Sequence, residues 1–381
     1  MKNEPMKIDI IGAGIGGLTA AIALQQKGIA FRLFEQAKSL EPMGAGILLG
    51  SNAMQVYEKL GLREKIERAG NILDKMNITR PDLQPITSVD LDYFEKKYGV
   101  KSVAIHRSTL QNILLEELPK QSIHLDKKLT QITNDDPLLI QFSDGTLLHS
   151  AAVIGADGIH SQVRQRVFHE NTIRPTGQIC WRGVTEFPLP WSIRQEAGEA
   201  WGKGDRFGFA QIAPGLVYWY AVSTNSPGAA GFGKRKIASL FNNYHPLVKS
   251  IIESTPEDHI HTSMLADLKP ISSWVNGRIC LLGDAAHATT PNLGQGACQS
   301  IEDAYVLAEC LSMLPLQEAF EHYEKVRMAK AQMVVNSSRA IGQLAHLENP
   351  WLIRLRNLAM QLTPKVVSRR QSEALYQLSA V

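Results

Sequence analysis

Three short stretches place glycines beside a single carboxylate in a way that can hold an anionic or polyhydroxyl ligand. In the first, MKIDIIGAGIGG, an apolar strand pattern runs into Gly12, Gly14 and Gly17; a helical run (LTAAIALQQK), Gly28 and a second strand ending in Glu35 follow. Gly12 suits a tight turn, Gly14 the close approach of backbone to a pyrophosphate, and Gly17 the close packing of helix on strand. The anion then meets free N–H groups at the helix start, with Ile15 the first side chain after the loop. Glu35, eighteen positions after Gly17, can accept hydrogen bonds from a ribose and repels a 2′-phosphate, and Gln36 adjoins it. This pattern predicts a β-α-β unit that binds FAD or NAD in preference to NADP. The second stretch, AAVIGADGIHSQVRQRV, ends a strand in Asp157–Gly158 and carries His160, Ser161 and Arg164 on the next turn. The third, GRICLLGDAAHATTPNLGQGACQSIEDA, ends a strand in Gly283–Asp284 and then passes Pro291 into a helix starting near Gln295–Gly296. Taken alone, either of these last two is an ordinary turn, because Asp and Gly dominate turns.

The elements that must position these residues belong to a globular chain. With 381 residues, 44% hydrophobic and 20% charged, the sequence suffices for one large domain or two ordinary ones. A net charge of +3 without blocks of like charge indicates neither a nucleic-acid track nor a polybasic membrane patch, so a small-molecule substrate is the expected partner. Cys180, Cys280, Cys298 and Cys310 form no C-x-x-C pair and no zinc-type spacing with His; they read as reduced packing residues, and no metal is expected. No run of eighteen apolar residues exists, which argues against stable membrane insertion. The lysines and apolar stretch of the N-terminus mimic a signal peptide, but Asp9 and the glycines argue against one, and a cytoplasmic location is expected. Internal repeats and low-complexity tracts are absent from the sequence.

The glycine unit with Glu35, the GADGIHSQVR segment and GDAAHATTPNLGQGACQSIEDA stand in the order and approximate spacing of a known family. Over nearly its whole length the chain resembles the single-component FAD-dependent aromatic hydroxylases, the para-hydroxybenzoate hydroxylase-like flavoprotein monooxygenases. It looks nearest to the compact branch of urate hydroxylases, salicylate hydroxylase-like enzymes, tetracycline-inactivating monooxygenases and zeaxanthin epoxidase-like proteins. GAGILLGSNAMQVYEKLGL, containing Gly46, resembles the family's loop and helix after the second strand, with Ser51 where proline is common; HRSTLQNIL resembles its Arg-x-x-Leu segment. CWRGVTEF and WGKGDRFGF resemble strands of its substrate domain.

The resemblance implies an α/β fold: a Rossmann-like FAD-binding domain (1–72, 102–172 and 270–345) with an inserted mixed β-sheet substrate domain (73–101 and 173–269) and a C-terminal helix within 346–381. NAD(P)H, a transient co-substrate, has no nucleotide fold of its own. By the same resemblance Arg107 approaches the flavin and its ribityl chain, with Ser108 and Gln111 capping the next helix. The backbone near Leu129 borders the adenine, Asp157 lies near the pyrophosphate with Arg164 supporting its turn, and Asp284 bonds a ribityl hydroxyl. Gly294, Gln295, Gly296 and Ala297 form the helix start that offers N–H groups and a positive dipole end to the anionic reduced ring, and Pro291 presents a carbonyl to the reacting edge. Arg206 and Tyr218 fall on strands facing the flavin, where they hold an anionic or hydroxylated ring. His287 tempts an acid–base role, although the family uses this position mainly structurally.

The implied chemistry is reduction of bound FAD by NAD(P)H, addition of O₂ at flavin C4a, and delivery of one oxygen atom from the hydroperoxide to an electron-rich, aromatic or heteroaromatic substrate, the other leaving as water. Rival readings are an FAD oxidase or dehydrogenase without oxygen insertion, which the second and third stretches together disfavour, and an FADH₂-dependent halogenase, disfavoured by the lack of a W-x-W-x-I-P motif. A non-enzymatic flavin sensor is a further alternative. Near the C-terminus, Leu352, Leu355, Leu358, Ala359 and Leu362 mark one face of a helix stopped at Pro364, expected to pack on its own protein. Arginines around it leave a peripheral membrane or dimer contact open, and the oligomeric state is read as monomer or homodimer.

Overall fold

The computed structural model describes residues 7–40, 45–133, 135–170, 173–224 and 228–381; Gly44 lies outside these. Its first layer is a six-stranded sheet ordered Val275–Asn276, Ile279–Leu281, Ala152–Gly155, Ile8–Ile11, Phe31–Phe34, Ile123–His124, parallel except for the first pair. Ile8–Ile11 is central and wholly buried, so its one charge, Asp9, needs a partner there; Arg32 on the next strand supplies a bidentate one at 2.7 and 2.8 Å. The helix Ile15–Gln26 is buried continuously from Gly17 to Leu24 because it has neighbours all round. These are the helices Arg107–Glu116 and Gly296–Met313 and the strand Phe31–Phe34.

A second, seven-stranded sheet is ordered His261–Leu268, Ile173–Glu186, Leu216–Thr224, Asp205–Ala213, Glu196–Trp201, Lys75–Thr79, Pro85–Asp90. The alternation in LVYWYAV sorts its two faces. Val217 and Trp219 join Trp181 and Phe207 in a core closed by the helices Lys234–Leu240 and Pro246–Ser254, while Tyr218 and Tyr220 point to the other side. A small sheet, Gly46–Leu49, Ser102–His106 and Asn71–Leu73, joins the layers. All four cysteines are free and buried. Among the described residues no helix is long and apolar enough to cross a membrane, and no cluster could hold a metal ion.

Two local expectations are corrected. The helix after His106 begins at Arg107, and it is the imidazole of His106, accepting from Ser108 N at 3.3 Å, that caps it; the Ser108–Gln111 pair does not. The C-terminal stretch forms two helices, Pro350–Leu362 and Lys365–Tyr376, since Pro364 ends one and its fixed φ admits the next. The apolar face of the first is turned outward, with Trp351, Leu355 and Leu362 at 75, 63 and 70% exposure. Arg356 is turned inward instead. Its guanidinium lies 5.0 Å from the centre of the Trp201 ring and donates to the carbonyls of Leu344 (2.9 Å) and Ala345 (3.3 Å), at the end of the helix Leu316–Ala345. Unpaired carbonyls at a helix C-terminus attract a cation, and an aromatic face adds to that attraction.

The two faces should respond in inverse order to their hydrophobicity. Arg356→Ala is expected to lower unfolding free energy by about 1–3 kcal/mol through lost charged hydrogen bonds, whereas Leu355→Ala should stay within about 0.5 kcal/mol; urea denaturation of both variants checks this.

Candidate active site

The glycine loop shows which of its positions serve packing and which face a ligand. A Cβ at Gly12, where φ is +107°, would lie 2.4 Å from Ala156 O, and one at Gly17 would lie 1.9 Å from Gly12 O; a Cβ at Gly14 would meet nothing within 4 Å. Two glycines are therefore demanded by the protein, and the third faces open space. Glu35 holds the loop in place, accepting from Ala13 N at 2.8 Å and Ala37 N at 2.9 Å. Gln36 is exposed beside it. The backbone N–H of Lys127 donates to Glu35 O at 2.8 Å, and this brings Leu129, first residue of the strand Leu129–Thr133, close behind.

Asp157 follows the strand Ala152–Gly155 and caps the next turn: its Oδ2 accepts from Gln162 N (2.7 Å) and Val163 N (3.2 Å). Its Oδ1 is buried without a hydrogen-bond partner among the described residues, and burial raises the carboxyl's pKa. Such an orphaned oxygen next to the loop fits a missing donor. Arg164, expected to support the Asp157 turn and grouped with the cofactor residues, supports that turn from behind the site. It is fully buried and directs its donors to Ala285 O (2.8 Å) and Ile159 O (2.5 Å), clamping the Asp157 turn to the Gly283–Asp284 turn.

Asp284 starts the short helix Asp284–His287 and opens onto a cavity of about 840 Å³. Burial pushes its pKa up, with His287 and Arg107 pulling it back, and its carboxylate accepts no hydrogen bond from the described residues. Gly294, Gly296, Ala297 and Pro291 continue the same wall. The helix Gly296–Met313 begins there with no side-chain cap and no acid in its first turn, so its N–H groups and dipole are free for an anion. A Cβ at Gly296 would have only Thr289 and Asp284 within 4 Å, the nearer at 3.4 Å. Gln295 turns its amide away from the cavity, its Oε1 accepting from Asn52 (3.2 Å) and Gln299 (3.0 Å). These features, open space at Gly14, an orphaned Asp157 oxygen, an unpaired carboxylate and an uncapped helix, fit FAD: pyrophosphate at the loop, ribityl chain at Asp284, ring against the helix start.

The opposite wall comes from the second sheet. Gly46 brings the two layers into contact, since a Cβ on it would lie 2.4 Å from the Tyr218 ring; Tyr218 and Tyr220 line the cavity, and burial raises both phenolic pKa values. Arg206 does not line it. It is 1% exposed, paired with Glu199 at 3.0 Å and hydrogen-bonded to the Asn292 side chain, because a partly buried carboxylate on the adjacent strand claims the cation. The arginine that does line the cavity is Arg182, from the CWRG strand, and it forms no ion pair among the described residues. Although burial works against its charge, Cys180 and Tyr218 keep its pKa raised. The sequence carried no signal for this, since any Arg on an alternating strand looks the same until the register is known.

His287 belongs to a buried network. Its Nε2 lies 2.5 Å from Asp303, which also accepts from Gly283 N (3.0 Å) and Arg327 Nε (2.8 Å); burial alone would raise Asp303, but His287 and Arg327 hold it at about 2. Arg327 also meets Glu302 and donates to Gln299 (2.6 Å), while Lys330 reaches Glu302 at 2.9 Å. The only hint in the sequence was two adjacent acids inside an otherwise apolar helix, IEDAYVLA.

Comparison with known proteins agrees with this geometry. Residues 6–338 match the family described as FAD binding domain, and the chain belongs to it. It is an FAD-dependent monooxygenase that uses NAD(P)H and O₂. It is 36% identical over 358 residues to aurachin C monooxygenase/isomerase of Stigmatella aurantiaca, covering 93% of each chain. It is 35% identical to 2-heptyl-3-hydroxy-4(1H)-quinolone synthase of Pseudomonas aeruginosa, covering 97% of this chain and 98% of that one. The structure of Klebsiella pneumoniae HpxO complexed with FAD and uric acid superposes with a TM-score of 0.89 at 26% identity, over 97% of both chains.

Two outcomes are expected. Asp284→Asn should reduce the flavin retained through gel filtration, yet change the apoprotein's unfolding free energy by no more than about 0.5 kcal/mol, because this side chain faces the open cavity and accepts no hydrogen bond from the described residues. Asp303 differs: its depressed pKa stabilises the fold above the ordinary carboxylate range, and that share is lost as pH falls toward 2. Asp303→Asn should therefore cost about 2–4 kcal/mol at pH 7 and flatten the acid limb of a stability–pH curve measured by denaturation.

Proposed function

We propose that the substrate is a 4(1H)-quinolone carrying an apolar side chain, hydroxylated on its ring. The observation that carries this reading is a cation, Arg182, that forms no ion pair among the described residues and is set among cavity walls that include the apolar Ile78, Val89, Met333, Ile341 and Leu375. A quinolone's ring oxygen carries partial negative charge and matches the guanidinium; its alkyl chain matches the apolar walls. The two relatives at 35–36% identity, one named for a heptyl quinolone and one for aurachin C, support the choice. Urate, named in the structural neighbour, is polar at every edge and would leave the apolar walls unmatched.

On this reading residues 1–72, 102–172 and 270–345 hold the cofactor, and 73–101 with 173–269 roof it. FAD, when bound, supplies electron transfer from NAD(P)H and activation of O₂. The balance is substrate, O₂, NAD(P)H and a proton giving hydroxylated substrate, NAD(P)⁺ and water. Arg182 orients the ring by its oxygen. Tyr218, whose raised pKa keeps it a neutral donor, adds a second polar contact, and the N–H groups at Gly296 and Ala297 stabilise negative charge on the reduced cofactor. Pro291 offers its carbonyl to the same space, and the closing walls limit water.

Purified FAD-loaded protein should oxidise NADH or NADPH faster with 2-heptyl-4(1H)-quinolone and yield a product heavier by one oxygen atom, with urate giving no stimulation. No response to any alkylquinolone overturns the substrate assignment. Arg182→Ala should raise KM about 10- to 100-fold, the loss of a charged hydrogen bond, at unchanged flavin content.

A further inference from the structure

The apolar stripe on the C-terminal helices has no partner among the described residues, yet it is not an accident of weak packing. Arg356 anchors the inward side of Pro350–Leu362 to two carbonyls and to Trp201, and this orientation presents Leu352, Leu355, Leu358 and Leu362 to solvent at 48, 63, 52 and 70% exposure. Their three- and four-residue spacing makes one continuous line along the helix. Val366 and Val367, 60 and 44% exposed, extend it onto Lys365–Tyr376.

Charge selects the occupant. From Pro350 to Tyr376 the chain carries five basic residues and one acid. Arg354, Lys365 and Arg370 are exposed; Arg369 lies over the Tyr93 ring, 3.9 Å from Asp90. The single acid, Glu373, is already taken by Lys97 (2.7 Å) and Tyr93 (2.8 Å). Trp351, 75% exposed with Arg354 5.3 Å from its ring centre, is an indole flanked by a cation, the composition found where a helix meets lipid headgroups. A second copy docked on this face by two-fold symmetry would bring the same cations together.

We propose that the helices Pro350–Leu362 and Lys365–Tyr376 dock the protein, lying in plane, on an anionic membrane surface. Neither helix is long enough to span, so the stripe rests in the headgroup region while the basic residues meet lipid phosphates. The other side of Lys365–Tyr376 lines the cavity with Ser368, Gln371, Ser372 and Leu375, so docking sets the cavity one helix away from lipid.

Flotation of the full-length FAD-loaded protein with phosphatidylcholine vesicles, with and without about 30 mol % phosphatidylglycerol, tests this. Most of the protein should float with the anionic vesicles and several-fold less with phosphatidylcholine alone. The double variant Leu355→Asp, Leu358→Asp should stay at the bottom with its flavin absorbance intact, and Lys365→Glu with Arg370→Glu should lose the preference for phosphatidylglycerol, which keeps the test informative if the first variant misfolds. Wild-type protein remaining at the bottom with both lipids, equal capture by both, or unchanged flotation of the Leu355/Leu358 variant overturns the proposal. So does a lipid-free dimer, seen by sedimentation, that the Leu355/Leu358 variant splits. No turnover is measured, so the outcome is independent of the substrate assignment.

Discussion

A fully buried arginine between two fully buried acids governs the flavin side of this protein. Arg327 meets Glu302 and Asp303 inside the seam between the helices Gly296–Met313 and Leu316–Ala345. Removing three charges from water is costly, and only dense pairing offsets that cost. Here every partner is also a positioning device. Asp303 fixes the Gly283 N–H and His287, hence the turn that presents Asp284; Gln299 fixes Gln295, hence the helix start; Glu302 binds Asn52 of the second helix of the chain at 3.0 Å and Ser379 of the C-terminal tail at 3.0 and 2.7 Å. The Asp284 carboxylate and the positive helix end are thus held by one electrostatic knot.

The cavity lies where two sheets of different character meet. The parallel sheet offers backbone and dipoles, suited to an anion, and the larger sheet offers side chains. The join is tight where Gly46 abuts Tyr218, and it is polar where Arg206 reaches Asn292, whose amide also donates to Thr290 (2.9 Å) and Ser338 O (2.6 Å). Arg206 therefore couples the roof to the Pro291 turn without touching the cavity, and Arg182, on Ile173–Glu186 with the strand Leu216–Thr224 between the two, holds the charge that faces the cavity.

The legible parts were those written in local pattern. Gly12, Gly14 and Gly17 with Glu35 announce a β-α-β unit because strand, turn, helix and strand follow within thirty residues, whereas Gly283–Asp284, an ordinary turn by itself, drew its expected role from the resemblance of the whole stretch to a known family. What escaped depends on pairings that no spacing encodes. Arg206 reads as a ligand because its strand resembles one that faces the flavin, and only the neighbouring strand, which carries Glu199, shows that its charge is spoken for. Arg327 and Asp303 are 24 residues apart, on different helices. The leucine stripe of Pro350–Leu362 was legible as a stripe, but what lies against it was not: Arg356 faces inward for backbone carbonyls, which carry no signature in a pattern of side chains.

The strand order carries a consequence for how the molecule is made. Ile8–Ile11 pairs with Ala152–Gly155, which pairs with Ile279–Leu281, and the glycine-loop helix packs on Gly296–Met313. A ribosome delivers these pieces in sequence, so the glycine loop emerges long before the helix Gly296–Met313 that forms the facing wall of the cavity. Until residues near 300 have left the exit tunnel, the nascent chain holds half a nucleotide site and an incomplete sheet. Cofactor loading is in this respect a late event of biosynthesis, and such long-range closure makes the emerging chain a natural client for chaperones.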